Sequence, residues 1–203
     1  MTVVIVDYGM GNIRSIKSTL NYLGVQDVIV SFDPKVLKNG DKLILPGVGS
    51  FGKAIARIRE RGLDVCLNEL VVNGSKPILG ICLGMQLMGI SSNEDGINNG
   101  LGLVKGLVTK FDNTHLKIPH VGFNQVMINN KLKLYNGFEE EADFYFTHSY
   151  KMTSSYDISQ CHCKYGDDFV ASFENNNIAG VQYHPELSQN NGLHVFRNFL
   201  EKF

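Results

Sequence analysis

Tryptophan is absent from this 203-residue chain, and cysteine occurs only four times, at Cys66, Cys82, Cys161 and Cys163. Four thiols at irregular spacing make no disulfide framework, so the expected setting is a reducing, cytoplasmic one in which a free cysteine can serve as a nucleophile. A surplus of positive charge is also missing: 19 Lys and Arg stand against 20 Asp and Glu, a formal net charge of −1. Without a basic field there is nothing to hold a nucleic acid or an anionic membrane surface. No apolar run reaches membrane-spanning length. The first residues, Met1-Thr2-Val3-Val4-Ile5-Val6-Asp7, lack the basic start of a signal peptide and read as a first strand. Linkers, repeats and low-complexity tracts are missing too, which predicts one domain over residues 1–203. What is present is apolar content of 43% against 19% charged, enough for a packed core.

The first half alternates strand and helix patterns. Val3–Asp7, Val28–Val30, Leu43–Leu45 and Pro77–Ile81 read as strands, the first of them apolar on both faces. Between them, Asn12–Leu23 carries Ile13, Ile16, Leu20 and Leu23 at helical spacing, a helix opens at Ser50 or Phe51 and runs through Ile58, and Leu63–Val72 forms another. Such alternation implies an α/β fold with a doubly wound, mostly parallel sheet. Beyond about residue 100 the texture becomes strand and turn. Leu103–Phe111, Pro119–Ile128, Asp143–Tyr150, Phe169–Phe173 and Ile178–Tyr183 are expected strands, separated by turns such as Asn98-Asn99-Gly100 and Asn136-Gly137. This half is expected to add an antiparallel or mixed region beside the parallel core, with a closing helix over Gly192–Phe203.

Several chemistries lack their residues. Gly9-Met10-Gly11-Asn12 after the first strand has Arg14 where a dinucleotide fingerprint needs a third glycine, and no phosphate-loop Lys-Ser/Thr run exists. Cys161-His162-Cys163 would split its thiols and imidazole between two strand faces, and no second ligand pair follows, so no metal site is expected. His115, His162 and His194 have no partner pattern and read as structural.

One stretch does carry chemistry. Gly80-Ile81-Cys82-Leu83-Gly84 follows an apolar strand and precedes Met85-Gln86-Leu87-Met88, a short helical pattern. This is the Gly-x-nucleophile-x-Gly elbow with sulfur as nucleophile, its small flanking residues allowing the strained turn. The helix after it aims its positive end at the sulfur. A base is available at the end of another strand, in Gly180-Val181-Gln182-Tyr183-His184-Pro185-Glu186. Glu186, two residues beyond His184, can fix the imidazole's tautomer. Pro46-Gly47-Val48-Gly49 ends a third strand and leaves backbone N–H groups free for an oxyanion.

Taken in order, six segments resemble the triad-type (class I) glutamine amidotransferases, and more narrowly the glutaminase subunits of imidazole glycerol phosphate synthases: Asp7–Asn12, Leu45–Gly52, Gly80–Leu87, Pro119–Asn124, Tyr145–Tyr150 and Gly180–Glu186. The resemblance implies a flavodoxin-like domain without a cofactor that hydrolyses L-glutamine. Cys82 would form a γ-glutamyl thioester, His184 would act as acid and then base, and Glu186 would orient it. Backbone N–H groups of Val48, Gly49 and Leu83 would hold the oxyanion, and Gly47, Gly49, Gln86, Ser149 and Tyr150 would surround the glutamine. Ammonia would pass to a separate (β/α)8-barrel synthase subunit in a heterodimer, docked near Asn12, Phe123 and Leu187. Two positions depart from the family pattern: Leu187 replaces a Lys after His-Pro-Glu, and Phe123 replaces a Trp. Both are expected on the partner side, which leaves open a paralogue that feeds ammonia to a surface-polysaccharide or flagellar sugar. A cysteine peptidase or γ-glutamyl peptide hydrolase could share the elbow, but Gln86 and the Tyr145–Tyr150 segment favour free glutamine, and a non-catalytic binding module is at odds with the presence of Cys82, His184 and Glu186 together.

Overall fold

A computed structural model describes residues 1–112 and 116–203; His115 lies outside the described residues. The chain begins with β1 (Thr2–Val6), α1 (Ile13–Tyr22), β2 (Asp27–Ser31), α2 (Pro34–Asn39), β3 (Lys42–Leu45), α3 (Phe51–Glu60), α4 (Leu63–Asn68), β4 (Ile78–Ile81) and α5 (Leu83–Leu87). It continues through β5 (Ser91–Ser92), β6 (Asn98–Asn99), β7 (Leu107–Lys110), β8 (His120–Met127), β9 (Glu141–His148), β10 (Tyr150–Thr153), β11 (Gln160–Tyr165), β12 (Asp167–Asn175), β13 (Ile178–Val181) and α6 (Gln189–Lys202).

The main sheet has the order β2-β1-β3-β4-β13-β12-β11-β8-β9. Its first five strands are mutually parallel, and from β12 outward each neighbour runs antiparallel. The expected parallel core with an antiparallel extension is therefore observed. β1 explains its own composition: Val3 and Ile5 enter the core on one face, with Ile16, Leu20, Phe196 and Phe199 of α1 and α6. Val4 and Val6 enter the other, with Leu37, Ile55, Leu67 and Met85 of α2 to α5. A strand covered on both sides has no polar register to keep.

Several expected boundaries move. The strand expected over Leu103–Phe111 is only β7. The one expected over Asp143–Tyr150 breaks at Ser149 into β9 and β10, which belong to different sheets. β10 pairs with β7 in a second sheet of order β10-β7-β5-β6, so Asn98-Asn99, expected as a turn, is a short strand instead. α2 is an addition to the expected elements, and β11 extends the strand considered only for Cys161-His162-Cys163. The start of α2 is nonetheless written in Asp33-Pro34: Oδ1 of Asp33 accepts from the N–H of Lys35 at 2.9 Å, and proline occupies the first turn. α6 begins at Gln189, three residues before the expected start. Gly192 lies inside it because a methyl there would sit 1.8 Å from the carbonyl oxygen of Pro185.

β1, β3, β4 and β13 all end at one edge of the sheet. The strand order reverses about β1 and β3, the crevice where open α/β sheets place ligands. Beside it lies a buried polar chain. Nδ1 of His148 donates to the carbonyl of Tyr150 at 2.8 Å, so Nε2 of His148 accepts from Nδ1–H of His120 at 3.0 Å. His120 is itself stacked between Tyr165 and Phe146, with ring centroids at 3.9 and 4.9 Å. Burial lowers both imidazoles from the usual 6.5, His120 to about 4 and His148 to about 3. Each is neutral in the fold and must gain a proton on unfolding below pH 6.5. Their stabilisation is therefore complete above that pH and lost as pH falls toward 4. In His120→Phe, which keeps the stacking, the decline in urea midpoint between pH 6.5 and 4 should be shallower than in the wild type. An unchanged slope would assign acid sensitivity to other groups.

Candidate active site

The elbow is as tight as its glycines require. β4 delivers the chain to Cys82, which stands at φ 52° and ψ −112°, and α5 starts at the next residue. Positive φ is costly for any residue with a β-carbon, and strain of this kind is kept where the surroundings over-determine it. Here they do: a methyl on Gly84 would fall 1.9 Å from the carbonyl oxygen of Leu45, and one on Gly47 would fall 2.6 Å from the Gly84 nitrogen. The ends of β3 and α5 thus lie against each other with no room for a side chain. The hydroxyl of Tyr8 donates to the Pro46 carbonyl at 2.7 Å and braces the same turn from below.

A cavity of about 460 Å³ opens over the sulfur. Val48, Gly49, Leu83, Gln86, Ser149 and Tyr150, expected around an oxyanion or a glutamine, line it together with Cys82 and His184. Gly47 does not line it; the residue is buried behind the wall, where its missing side chain lets the elbow close. Gly49 is exposed at φ +104°, a conformation glycine adopts freely. Gln86 is buried, and its amide nitrogen is already committed, donating to the carbonyl of Tyr150 at 2.9 Å and to Oε1 of Gln182 at 2.8 Å. It anchors the Tyr150 turn as well as lining the cavity.

His184 and Glu186 meet as expected. Nδ1–H of His184 donates to Oε1 of Glu186 at 2.9 Å, and the carboxylate side chain is fully buried. Nε2, the other ring nitrogen, is buried without a regular hydrogen-bond partner among the described residues, and the Cys82 sulfur is near enough to act on its protonation. Burial works to lower the imidazolium, but hydrogen bonding and negative charge at Cys82 and Glu186 outweigh it, pushing His184 up to about 10. At neutral pH His184 therefore holds a proton beside the sulfur. A cysteine sulfur, an imidazole beside it and the Val48-Gly49 turn in one cavity are the parts needed for acyl transfer from an amide.

Four further side chains support the site through contacts with other segments. Nε2 of Gln182 donates to the Cys82 sulfur at 3.7 Å. The hydroxyl of Ser188 donates to the His184 carbonyl at 2.7 Å and accepts from the Tyr145 N–H at 2.9 Å, locking the histidine's backbone to β9. Glu94 brings a carboxylate to the cavity wall, where it accepts from the Phe51 N–H at 2.8 Å and burial raises its carboxyl above the usual range. Asn12, expected at the partner surface, donates from Nδ2 to Oε1 of Glu186 at 3.1 Å. Phe123 and Leu187 are about half exposed, Phe123 lying edge-on to Tyr145 at 5.6 Å. Phe123 also borders a second cleft, of about 450 Å³, with Asp143 and Ser188. No group of three or more His, Cys, Asp or Glu among the described residues could hold a metal ion. No helix of the described residues is long and apolar enough to cross a membrane.

Residues 4–203 match the family Glutamine amidotransferase class-I. The chain is 41% identical over 202 residues to the imidazole glycerol phosphate synthase subunit HisH 2 of Vibrio vulnificus, covering 99% of this chain and 94% of that protein. It is 45% identical over 202 residues to the subunit HisH of Sulfurimonas denitrificans, covering 97% and 96%. Among solved structures, one described as a glutamine amidotransferase superposes with a TM-score of 0.76 at 20% identity, over 98% of this chain and 97% of that one. A chain of PurLQS from Thermotoga maritima gives 0.74 at 20%, over 98% and 97%. At such identities these two structures speak for the fold alone.

The strain at Cys82 can be measured apart from its chemistry. At an ordinary position glycine is less stable than alanine. Here the order should invert, Cys82→Gly being more stable than Cys82→Ala by about 1 kcal/mol, because both lose the sulfur and only glycine is at ease at φ 52°. Urea unfolding of the two variants decides it; Ala at or above Gly would mean that the elbow is unstrained.

Proposed function

The chain belongs to the class-I glutamine amidotransferase family, and from that premise we propose that it is the glutaminase subunit of an imidazole glycerol phosphate synthase, supplying ammonia for L-histidine biosynthesis. The observation that carries the chemistry is His184, bonded to a buried carboxylate on one nitrogen, with its other ring nitrogen buried beside the sulfur of Cys82. The pathway rests on relatives of that name at 41 and 45% identity over nearly the whole of both chains.

The sulfur of Cys82 attacks the side-chain carbonyl carbon of L-glutamine, and the oxygen takes the negative charge. Backbone N–H groups of Leu83 and of Val48 and Gly49 receive it. His184 gives its proton to the nitrogen, the C–N bond breaks, ammonia leaves and a γ-glutamyl thioester remains on Cys82. Thioester formation removes the charge that had held the proton on His184, so the imidazole becomes a base when one is needed. It takes a proton from water as the oxygen attacks the thioester carbon, glutamate departs, and the proton remaining on His184 restores the starting pair. Glu186 holds the tautomer throughout. Gln86 positions the Ser149–Tyr150 turn, whose backbone meets the amino-acid end of the substrate, and Glu94 receives the ammonium there. A cation at that place offsets the burial that raises the Glu94 carboxyl.

Residues 1–203 act as one amidotransferase domain in the cytoplasm, and the ammonia acceptor sits on a (β/α)8-barrel synthase subunit. Phe123 and Leu187, half exposed and apolar, are the anchors we assign to that contact.

Two measurements test the reading. Mixing the protein with a histidine-pathway barrel subunit should raise glutamate release from L-glutamine, further so with the barrel's nucleotide ligand present. Cys82→Ala should abolish that release. Stimulation by a sugar-modifying synthase alone would move the protein to a different acceptor. In Glu94→Gln, KM for glutamine should rise about tenfold or more with kcat little changed, since a charged hydrogen bond to the substrate is lost before and during reaction alike. A fall confined to kcat would place Glu94 in the chemistry instead.

A further inference from the structure

Asn12 stands at the N-cap of α1, where an asparagine side chain ordinarily accepts a hydrogen bond from the first turn of the helix. It makes no such bond. Its carboxamide reaches across 174 positions of sequence to donate to Oε1 of Glu186 at 3.1 Å. That oxygen also receives Nδ1–H of His184 at 2.9 Å, while Oε2 is buried without a partner among the described residues. The carboxylate is therefore pinned through one oxygen by two donors. A local stabilising bond has been given up for a distant one, at the group that fixes the catalytic imidazole.

We propose that Asn12 is a positioning residue of the triad, holding the Glu186 carboxylate so that Oε1 stays on the His184 ring. Without it the carboxylate keeps a single donor, and its plane is free to turn so that neither oxygen stays in line with Nδ1–H of His184. The bond also ties the triad to the loop after β1. That loop lies on the Pro46–Gly49 turn: a methyl on Gly49 would fall 2.7 Å from the Met10 terminal carbon, and one on Gly11 would fall 2.8 Å from Pro46. One loop thus touches both the base side and the oxyanion side of the cavity. The proposal deepens the functional reading above and rests on it for its kinetic test alone.

Asp and Ala substitutions separate positioning from capping. Aspartate has the same shape and caps a helix as well as asparagine does, but ionised it has no hydrogen to donate and repels Glu186. In Asn12→Asp the unfolding temperature should fall at neutral pH, because a second carboxylate is repelled by the buried Glu186. The kcat for glutamine hydrolysis by the partner-activated complex should fall about 10- to 100-fold, with KM within about twofold. Asn12→Ala should lose kcat in the same direction. In the isolated chain, the downfield proton resonance of the His184 Nδ1–H, hydrogen-bonded to the carboxylate, should be lost or displaced in both variants. If Asn12→Asp keeps kcat within about threefold of the wild type and leaves that resonance in place, the proposal is overturned and Asn12 is a surface residue. If the wild-type complex hydrolyses no glutamine, it is the functional reading that fails. The resonance then decides this proposal by itself, its survival in Asn12→Asp overturning it.

Discussion

The contact between Gly84 and the Leu45 carbonyl, with no space for one methyl group, fixes where everything else in the site must be. It joins the end of β3 to the start of α5, and so sets the Pro46–Gly49 turn beside the sulfur. Backbone-to-backbone contact is stiff because neither side has a rotamer to change. An oxyanion hole has to be in place before charge develops, and donors fixed by backbone contact need no reorganisation at the moment of reaction. The strained Cys82 follows from the same contact. With β4 paired to β3 and β13 on one side and α5 pressed against Leu45 on the other, φ 52° is the geometry left to the residue between them.

The second half of the machinery is held by charge, and burial makes that work. Glu186 is fully covered and His184 nearly so, which keeps water from screening the attraction between them. The same burial opposes the imidazolium on its own, so its proton depends on partners remaining close. His148, also buried, shows the contrast. Its partners are a carbonyl and a neutral histidine, and its imidazole falls to about 3 rather than rising. Two histidines in comparable burial thus differ by their neighbours alone, one fit for proton transfer and one locked neutral in a hydrogen-bonded chain that supports the Ser149 turn.

Much of this was legible in the sequence because it is local. Cys82 between two glycines, His184 two residues from Glu186, and a doubly apolar Val3–Val6 all declare themselves within a few positions. What was not legible depends on contacts between distant segments. Asn98-Asn99 has the composition of a turn and becomes β6 only because β5 lies beside it. Gly192 resembles a helix start and is instead the gap that admits the Pro185 carbonyl. β11, with Gln, Cys, His, Cys and Lys in sequence, has little of a strand's composition, and pairing with β12 and β8 supplies what its propensity lacks. The single stretch over Asp143–Tyr150 reads as one strand because alternation cannot register a change of sheet at Ser149. In the site, Glu94 and the contacts made by Gln182 and Asn12 escaped for the same reason: each acts on a residue from 43 to 174 positions away.

The distribution of kept and altered chemistry within the chain has a physical sense. The positions that set this chain apart in the sequence comparison above, Phe123 and Leu187, are half exposed, whereas Cys82, His184, Gln86 and the Glu186 side chain are buried. An exposed side chain contributes little to the stability of its own fold, so it can change at little cost. Gln86 has no such freedom. Its nitrogen bonds Tyr150 and Gln182 at once, and Gln182 in turn reaches the sulfur, so altering it would leave buried polar groups unpaired on three elements. A chain built this way can change at exposed positions such as Phe123 and Leu187 while its buried triad stays put, because the former have few partners inside and the latter have theirs there.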